Sequence, residues 1–159
     1  MPIAKLDPID RKILSLLQAD GRMSINDLAA QVGLSPSPCL RRVRLLEKAG
    51  IINRYVAVLD QRAVGLPVSV FISIKLDKQR EEMLERFGKT ISRWPEVLEC
   101  YLMTGQRDYL LRVVVPDLPS YERFLKTKLT RLDGIASIES SFALEQVKYT
   151  NVLPVEART

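Results

Sequence analysis

Hydrophobic residues recur at helical spacing in the first part of the chain and at alternate positions further on. Between residues 6 and 48, apolar side chains return every three or four residues in three short runs, which predicts three amphipathic helices. Between residues 68 and 76, one apolar set alternates with a mostly polar set, which predicts a strand with one buried face. The two parts are therefore predicted to belong to different structural classes.

A glycine turn joins the last two of the three predicted helices. Ser24 with Asp27 three residues later marks a helix start, because the hydroxyl and the carboxylate accept unpaired backbone N–H groups. Gly33 can adopt the left-handed conformation that ends this helix, and Ser35 followed by Pro36 starts the next. The first of the three predicted helices packs against the other two and completes a small apolar core. The pattern predicts a helix-turn-helix.

The last of these helices carries a stripe of polar and basic residues. Successive helical residues rotate by about 100°, so four of these side chains fall within about 60° of one another. They are Ser37, Arg41, Arg44 and Lys48. The apolar Cys39, Val43 and Leu46 lie on nearly the opposite side and are expected to pack inward. A helix in the major groove of DNA needs this division, although a solvated cationic face is the alternative.

Positive charge is concentrated on this helix. The chain of 159 residues has a net charge of +5, and residues 1–60 hold nine basic against six acidic side chains. The segment 35–48 alone holds four basic and one acidic side chain, so it carries the net charge of its whole domain. A focused positive charge favours a phosphate-binding surface.

Residue composition excludes several function classes. The chain has no histidine, so a Ser-His-Asp or Cys-His nucleophile and a histidine metal site are excluded. No phosphate-binding glycine loop or dinucleotide fingerprint is present. We therefore expect no catalytic residues, no metal and no cofactor, and a protein that is not an enzyme.

The two cysteines and the lengths of the apolar runs indicate the cellular compartment of the protein. Cys39 and Cys100 each lie on a predicted apolar face, so buried free thiols are favoured over a disulfide. The first residues lack the apolar core of a signal peptide, and no apolar run reaches membrane-spanning length. We expect a cytoplasmic protein with no membrane partner.

The rest of the chain predicts the order strand, helix, strand, strand, helix, strand. The predicted strands are 68–76, 97–103, 109–115 and 135–147, and the helices lie around 83–91 and 121–132. This is the split βαβ order of a ferredoxin-like sandwich, so the predicted fold class is α+β.

These elements divide the chain into two domains. Residues 1–60 are predicted to form a winged helix-turn-helix domain, in which β-branched residues in 51–59 make short strands of the wing. Arg54 in the wing could reach the DNA backbone, or it could be an ordinary surface arginine. Residues 61–67 are predicted to be a linker, and residues 68–159 the ferredoxin-like domain.

One face of the predicted sheet has no helix to cover it. The positions expected to face the core are Ile72, Leu98, Cys100 and Leu102. Phe71, Tyr101 and Met103 are out of phase with them, so aromatic and thioether groups would lie on the uncovered face. A homodimer through the sheets would bury this face and place two DNA-binding helices about one two-fold axis.

Three motifs carry a resemblance to a known family. They are GLSPSPC at 33–39, G-x-x-DYLL at 105–111 and EQVK at 145–148. With them, the chain resembles the leucine-responsive and asparagine-responsive (Lrp/AsnC, feast/famine) regulators over nearly its whole length. The resemblance implies a ferredoxin-like domain that binds an amino-acid effector, and dimers that assemble into tetramers or octamers.

The second motif also has a physical interpretation. A free amino acid presents an ammonium and a carboxylate, so its receptor needs an anionic acceptor and several donors. Asp108 could accept the ammonium, and backbone N–H groups around Thr104 and Gly105 could bind the carboxylate. The alternative is that Gly105 and Asp108 only shape a hairpin turn.

Three further residues belong to this candidate site. Met103 precedes the loop, and Ser140 or Ser141 on the last strand could complete the pocket. Arg107 follows Gln106 where the leucine-responsive members carry an acidic and an aromatic residue. An arginine there could meet an effector carboxylate or reject cationic effectors, so leucine is not predicted as the ligand.

The chain is therefore predicted to be a sequence-specific transcriptional regulator that binds double-stranded DNA and responds to an amino acid or a derivative. Two alternatives remain, namely a small-molecule-binding module whose helix-turn-helix is vestigial or binds protein, and an enzyme on the sandwich. The residues predicted to contact DNA are Ser35, Ser37, Arg41, Arg42, Arg44, Lys48 and Arg54.

Overall fold

The computed structural model of the chain describes residues 6–78 and 80–155, which form two compact units. The first unit contains residues 6–58 together with the C-terminal segment 148–155, and the second contains residues 59–147. Segment 148–155 thus belongs with the N-terminal helices, whereas the sequence-based division places it in the second domain.

Three helices form the first unit. They are α1 (Pro8–Ala19), α2 (Ile25–Val32) and α3 (Pro36–Lys48). Asp7 and Asp10 form a reciprocal capping box at the start of α1, and the Ser24 hydroxyl accepts from the Asp27 N–H at 3.1 Å. Gly33 ends α2 with φ 75°, the left-handed conformation that its position predicts.

The first unit has its own apolar core. All three helices contribute to it, and its buried residues are Ile13, Leu14, Leu28, Ala29, Val32, Cys39, Val43 and Leu46. Cys39 is fully buried, and burial raises the pKa of its thiol because the thiolate would lose its hydration. The inward side of α3 is therefore the side that the helical pattern predicts.

The segment after α3 differs from the prediction. No strand forms within residues 51–59, so the prediction of wing strands in this chain is wrong. Gly50, with φ 71°, turns the chain, and the Ile51 and Ile52 N–H groups donate to the Leu46 carbonyl. Residues 53–59 then run exposed, and their β-branched composition has no neighbouring strand to pair with in the described chain.

The C-terminal segment is held on α1 by side-chain hydrogen bonds. The Gln18 amide donates to the Leu153 carbonyl at 3.0 Å and accepts from the Leu153 N–H at 2.6 Å. The Arg11 guanidinium donates to the Val155 carbonyl at 2.8 Å, and Val155 packs against the core of the unit. These contacts explain why residues 148–155 group with the helices.

The second unit is a four-stranded antiparallel sheet with helices on one face. Its elements are β1 (Val68–Leu76), α4 (Glu81–Ile91), β2 (Val97–Leu102), β3 (Tyr109–Val115), α5 (Leu118–Thr127), a 3-10 turn (Leu129–Arg131) and β4 (Ile135–Phe142). The strand order is β2-β3-β1-β4, so the strands that are central in the sheet are β1 and β3.

The buried face of β1 is the face that the alternation predicts. Val70, Ile72 and Ile74 are fully buried beneath α4 and α5, where they pack with Phe87 and Phe124. Trp94 meets Phe124 edge to face at 5.5 Å between ring centroids, and Phe87 stacks on Tyr109 at 4.4 Å. The helices therefore cover one side of the central strands.

Strand β2 is less covered than its sequence predicts. Cys100 and Leu102 pair with the buried Leu111 and Tyr109 and so share the helix side of the sheet, yet both are exposed. Leu98 lies at a register shift and is also exposed. The prediction of core positions at these three residues, and of a buried thiol at Cys100, is wrong because β2 is an edge strand that the helices do not cover.

Strand β4 is shorter than predicted, since it ends at Phe142 rather than at residue 147. Its last ladder pair joins Phe142 to Val70, and the Ala143 N–H then donates to the Ser69 carbonyl. Because β1 begins at Val68, residues beyond Ala143 have no strand left to pair with.

Candidate DNA interface and effector loop

The basic stripe of α3 is exposed. Ser37, Arg41, Arg44 and Lys48 all reach solvent, while Val43 and Leu46 on the other side are buried. No acidic side chain in residues 6–78 and 80–155 pairs with a cation of this stripe. Their charges are therefore available to a polyanion. Leu45 is 57% exposed and lies beside them.

Arg42 has a different environment from its neighbours. Its Nη1 donates to Asp7 Oδ2 at 2.6 Å and to Asp10 Oδ1 at 2.7 Å. Its side chain is 28% exposed and that of Asp10 is 18% exposed. Arg42 thus joins α3 to the capping box of α1, and it lies off the stripe.

The capping box and Arg42 change the pKa of Asp7. The Asp10 N–H and, after it, the Arg42 guanidinium hold the pKa of Asp7 below its ordinary value. A carboxyl whose pKa is lower in the folded than in the unfolded protein adds stability above the unfolded pKa, and that stability is lost as the pH falls through the folded pKa.

Acid should therefore destabilise the first unit partly through Asp7. We expect the free energy of unfolding to fall more steeply below about pH 4 in the wild-type protein than in Asp7→Asn, whose amide does not titrate. Urea titrations followed by circular dichroism at a series of pH values measure this difference. Parallel pH profiles for the two proteins would contradict it.

The other two residues predicted to contact DNA are exposed. Ser35 is the N-cap of α3, and its hydroxyl makes no capping hydrogen bond. Arg54 lies in the extended segment that follows α3, where no described acidic residue pairs with it. Both side chains are open to solvent in the first unit.

The predicted effector loop connects β2 to β3. Residues 103–106 are exposed, and Gly105 has φ 105°, a conformation that an L side chain rarely adopts. Among the described residues, no acceptor meets the backbone N–H groups of 104–107. Successive amide donors, of which those of 104–106 belong to exposed residues, therefore have no acceptor in the described chain, and a carboxylate receptor needs such donors.

Asp108 lies beneath this loop. It is 4% exposed, and its Oδ2 accepts from the Leu76 N–H at 2.7 Å. Its backbone N–H donates to the Ile74 carbonyl, and its carbonyl accepts from the Met103 N–H, each at 2.8 Å. Asp108 thus closes the loop and ties it to the end of β1.

Arg107 crosses the sheet from the loop to β4. Its Nη1 donates to the Ser137 hydroxyl at 2.9 Å, and its Nη2 forms an ion pair with Glu139. Neither partner was predicted from the sequence. The alternation of β4 places Ser137, Glu139 and Ser141 on one face, so a lone acidic residue among serines was the available signal.

The two serines proposed for the pocket point to opposite faces. Ser140 pairs with the buried Ile72 and is hydrogen-bonded to the Tyr121 hydroxyl on α5, so it lies on the helix side. Ser141 pairs with Phe71 on the open face. Within this chain, the structure does not bring Ser140 together with the outer surface of the loop.

Comparison with known proteins identifies both units. A family model described as the Lrp/AsnC ligand binding domain matches residues 69–153. A second, described as winged helix-turn-helix DNA-binding, matches residues 6–53. The chain belongs to the Lrp/AsnC family. The predicted helix-turn-helix joined to an α+β effector domain is thereby confirmed. The winged class follows from the family model, since no strand forms within residues 51–59.

Relatives match this Lrp/AsnC chain over almost its whole length. The Bkd operon transcriptional regulator of Pseudomonas aeruginosa is 48% identical, covering 96% of this chain and 100% of its own. The crystal structure of an AsnC family transcriptional regulator from Agrobacterium tumefaciens is 47% identical, with a TM-score of 0.90, 94% of this chain covered and 97% of that one.

A third relative was solved with a ligand. It is a transcriptional regulator from Neisseria meningitidis in complex with L-Met, and it is 39% identical with a TM-score of 0.89. The match covers 94% of this chain and 97% of that one. This Lrp/AsnC protein is therefore a DNA-binding transcriptional regulator with a ligand-binding domain, as its sequence predicts.

The described part of this Lrp/AsnC regulator has neither a membrane-spanning helix nor a cluster of metal-ligating side chains. No helix in residues 6–78 and 80–155 combines the length and the hydrophobicity that a membrane crossing requires. Nor does that part of the chain gather three or more cysteine, aspartate or glutamate side chains in a metal-binding arrangement.

Proposed function

We propose that this Lrp/AsnC regulator acts as a homodimer, inserts α3 into the major groove of double-stranded DNA, and changes its assembly or DNA affinity when an amino acid binds at loop 103–108. The observation that carries this proposal is the exposed basic stripe of α3, whose cations have no acidic partner in the described chain.

The DNA part of the proposal rests on charge and exposure. Arg41 and Arg44 have the length to reach guanine edges or phosphates from a helix in the groove, and Lys48 can neutralise a phosphate. Ser37 near the start of α3 can donate to a phosphate or a base. In a two-fold dimer, the two α3 helices would enter successive major grooves about 34 Å apart.

The effector part rests on the open amides of the loop. The N–H groups of 104–107 suit a carboxylate, and the buried Asp108 beneath them provides negative charge that attracts an ammonium. The L-Met complex of the Neisseria relative supports an amino acid as the ligand class. Arg107 is engaged by Glu139, so in this proposal it holds the loop to β4 and leaves the carboxylate to the backbone.

The dimer is proposed to form through the open face of the sheet. Phe71 is 38% and Tyr101 is 52% exposed on this face, and Leu110 lies between them. Around them the Arg112 guanidinium is hydrogen-bonded to Glu99 and Gln61, so Arg112 and Glu99 are already paired. Tetramers or octamers would form from these dimers. A regulator of this kind acts where the chromosome is, which in bacteria is the cytoplasm.

If the open face of the sheet is the dimer interface, a charged substitution on that face should shift the protein from dimer towards monomer. We expect the wild-type protein to sediment as a dimer or a larger assembly at micromolar concentration. Phe71→Glu should raise the dissociation constant at least about tenfold, because an unpaired charge would be buried. Leu118→Glu on α5 is the control, since Leu118 is 60% exposed on the opposite side of the sheet. Monomeric wild-type protein would contradict the dimer.

The function as a whole is tested with selected DNA and amino acids. Repeated enrichment of random duplexes on the wild-type protein should yield a palindromic sequence, and L-Met or another of the twenty amino acids should raise the melting temperature and change affinity for that duplex. A vestigial or protein-binding helix-turn-helix would enrich no sequence. A protein that enriches DNA but responds to no amino acid would contradict the effector part alone.

A further inference from the structure

We propose that Arg42 is a positioning residue of the recognition helix, which fixes the orientation of α3 against α1 and does not contact DNA. Arg42 stands between Arg41 and Arg44 in sequence, and composition alone gives the three arginines the same role. The structure separates them, because Arg42 is engaged by two carboxylates while Arg41 and Arg44 are not paired in the described chain.

The two carboxylates are arranged for this guanidinium by the cap of α1. Asp7 uses Oδ1 to accept from the Asp10 N–H at 2.8 Å, which leaves Oδ2 for Arg42. Asp10 uses Oδ2 for the Asp7 N–H at 3.4 Å, which leaves Oδ1 for Arg42. Each carboxylate therefore divides its oxygens between the helix cap and α3. The capping box holds both acceptors in place before Arg42 meets them, so little additional side-chain entropy is lost.

The link lies beside an open groove on the surface of the first unit. Leu6 and Asp10 line this groove on one side, and Arg41, Arg42, Leu45 and Leu46 of α3 line it on the other. Apolar contact is non-directional, so a core alone resists separation of two helices better than it resists rotation of one helix about its axis. The ion pairs at 2.6 and 2.7 Å are directional and lie beside the groove. They add a directional constraint on α3 to the apolar packing of Val43 and Leu46.

Orientation of α3 matters because direct readout of DNA depends on geometry. Arg41 and Arg44 flank Arg42, so a rotation of α3 would move both away from base edges together. Phosphate contacts tolerate such a movement, since an ammonium or guanidinium can follow a phosphate with its flexible side chain. Loss of Arg42 should therefore reduce sequence discrimination more than general DNA affinity.

The experiment measures binding of Arg42→Gln to the duplex enriched on the wild-type protein and to a scrambled duplex of equal length, over a series of salt concentrations. We expect affinity for the enriched duplex to fall about 5- to 150-fold, equivalent to the loss of a base contact, with a smaller change for the scrambled duplex. The slope of log affinity against log salt should stay unchanged. Removal of a phosphate contact would instead weaken both duplexes equally and reduce the slope by about 0.9.

A second variant changes the acceptors and leaves Arg42 in place. Asp7→Asn keeps an oxygen that can cap α1, since asparagine is a good N-cap, but it removes one ion pair. We expect the ratio of enriched to scrambled affinity to fall in this variant too, even though the removal of a negative charge strengthens binding to both duplexes. In the double variant Asp7→Asn/Arg42→Gln, the ratio should fall no further than in Arg42→Gln alone, because the two residues act through one contact.

All variants are compared at a temperature at which circular dichroism shows them folded, so that a change in ratio reports orientation and not the folded fraction. If Arg42→Gln does not fold, the milder Asp7→Asn variant still tests the proposal through its ratio of enriched to scrambled affinity. A ratio that equals that of the wild-type protein in Asp7→Asn, or in a folded Arg42→Gln, would overturn the positioning role.

Discussion

Replacing Arg44 with alanine should weaken binding to an enriched duplex by about 5- to 150-fold if its guanidinium reads a base, which corresponds to ~1–3 kcal/mol. Arg44 is exposed on the outer side of α3, and no acidic residue in the described chain competes for it. Its loss removes a donor and a charge from the interface and disturbs no internal contact, so the protein should fold as before. Fluorescence anisotropy with labelled duplexes measures the effect.

The same substitution at other arginines provides the controls. Arg41→Ala should behave like Arg44→Ala, because the two side chains belong to one stripe. Arg123→Ala on α5 should bind DNA like the wild-type protein, since Arg123 is an exposed arginine of the second unit. Equal loss on enriched and scrambled duplexes, with a salt slope reduced by about 0.9, would assign the residue to a phosphate. Wild-type affinity in both stripe variants would remove α3 from the interface.

The pattern of apolar positions predicts those parts of the fold in which local sequence decides the structure. Strand β1 runs over Val68–Leu76 as the alternation predicts, because a central strand with one face under helices must bury every second residue. The turn at Gly33 follows from a residue type that tolerates positive φ. The order of strands and helices follows in turn, and with it the fold class.

Periodicity does not predict which positions end up covered. Cys100 and Leu102 have the phase of core residues but lie on an edge strand, and the helices cover the central strands. The end of β4 is likewise decided elsewhere, because β1 runs out of residues to pair with. In both cases the outcome depends on how far another helix or strand reaches, and a short stretch of sequence does not contain that information.

The same limit applies to the charged residues of the candidate sites. Arg42 meets Asp7 and Asp10 from more than thirty positions away, and Arg107 meets Glu139 across the end of β1. A helical projection places Arg42 at a different angle from the stripe. It cannot show that the carboxylates of Asp7 and Asp10 lie within hydrogen-bonding distance of the Arg42 side chain. Composition groups arginines together, and only the fold distinguishes those that are engaged internally from those that face solvent.

Asp108 offers the second large effect, because one side chain combines a structural and a proposed binding role. Asp108→Ala removes the acceptor of the Leu76 N–H and leaves that donor unpaired in a buried position. The cost should be about 1–3 kcal/mol of unfolding free energy. Loss of an effector response in this variant would thus be ambiguous, since a loosened loop and a lost ammonium acceptor give the same result.

Asp108→Asn separates the two roles. Its amide oxygen can still accept from the Leu76 N–H at nearly unchanged volume, so it should lose less unfolding free energy than Asp108→Ala. The negative charge that would attract an ammonium is gone, and we expect the stabilisation by L-Met, or by any amino acid that stabilises the wild-type protein, to be lost. Thermal unfolding with and without each amino acid measures both quantities. An Asp108→Asn protein that keeps the full ligand-induced shift would leave Asp108 with its structural role alone.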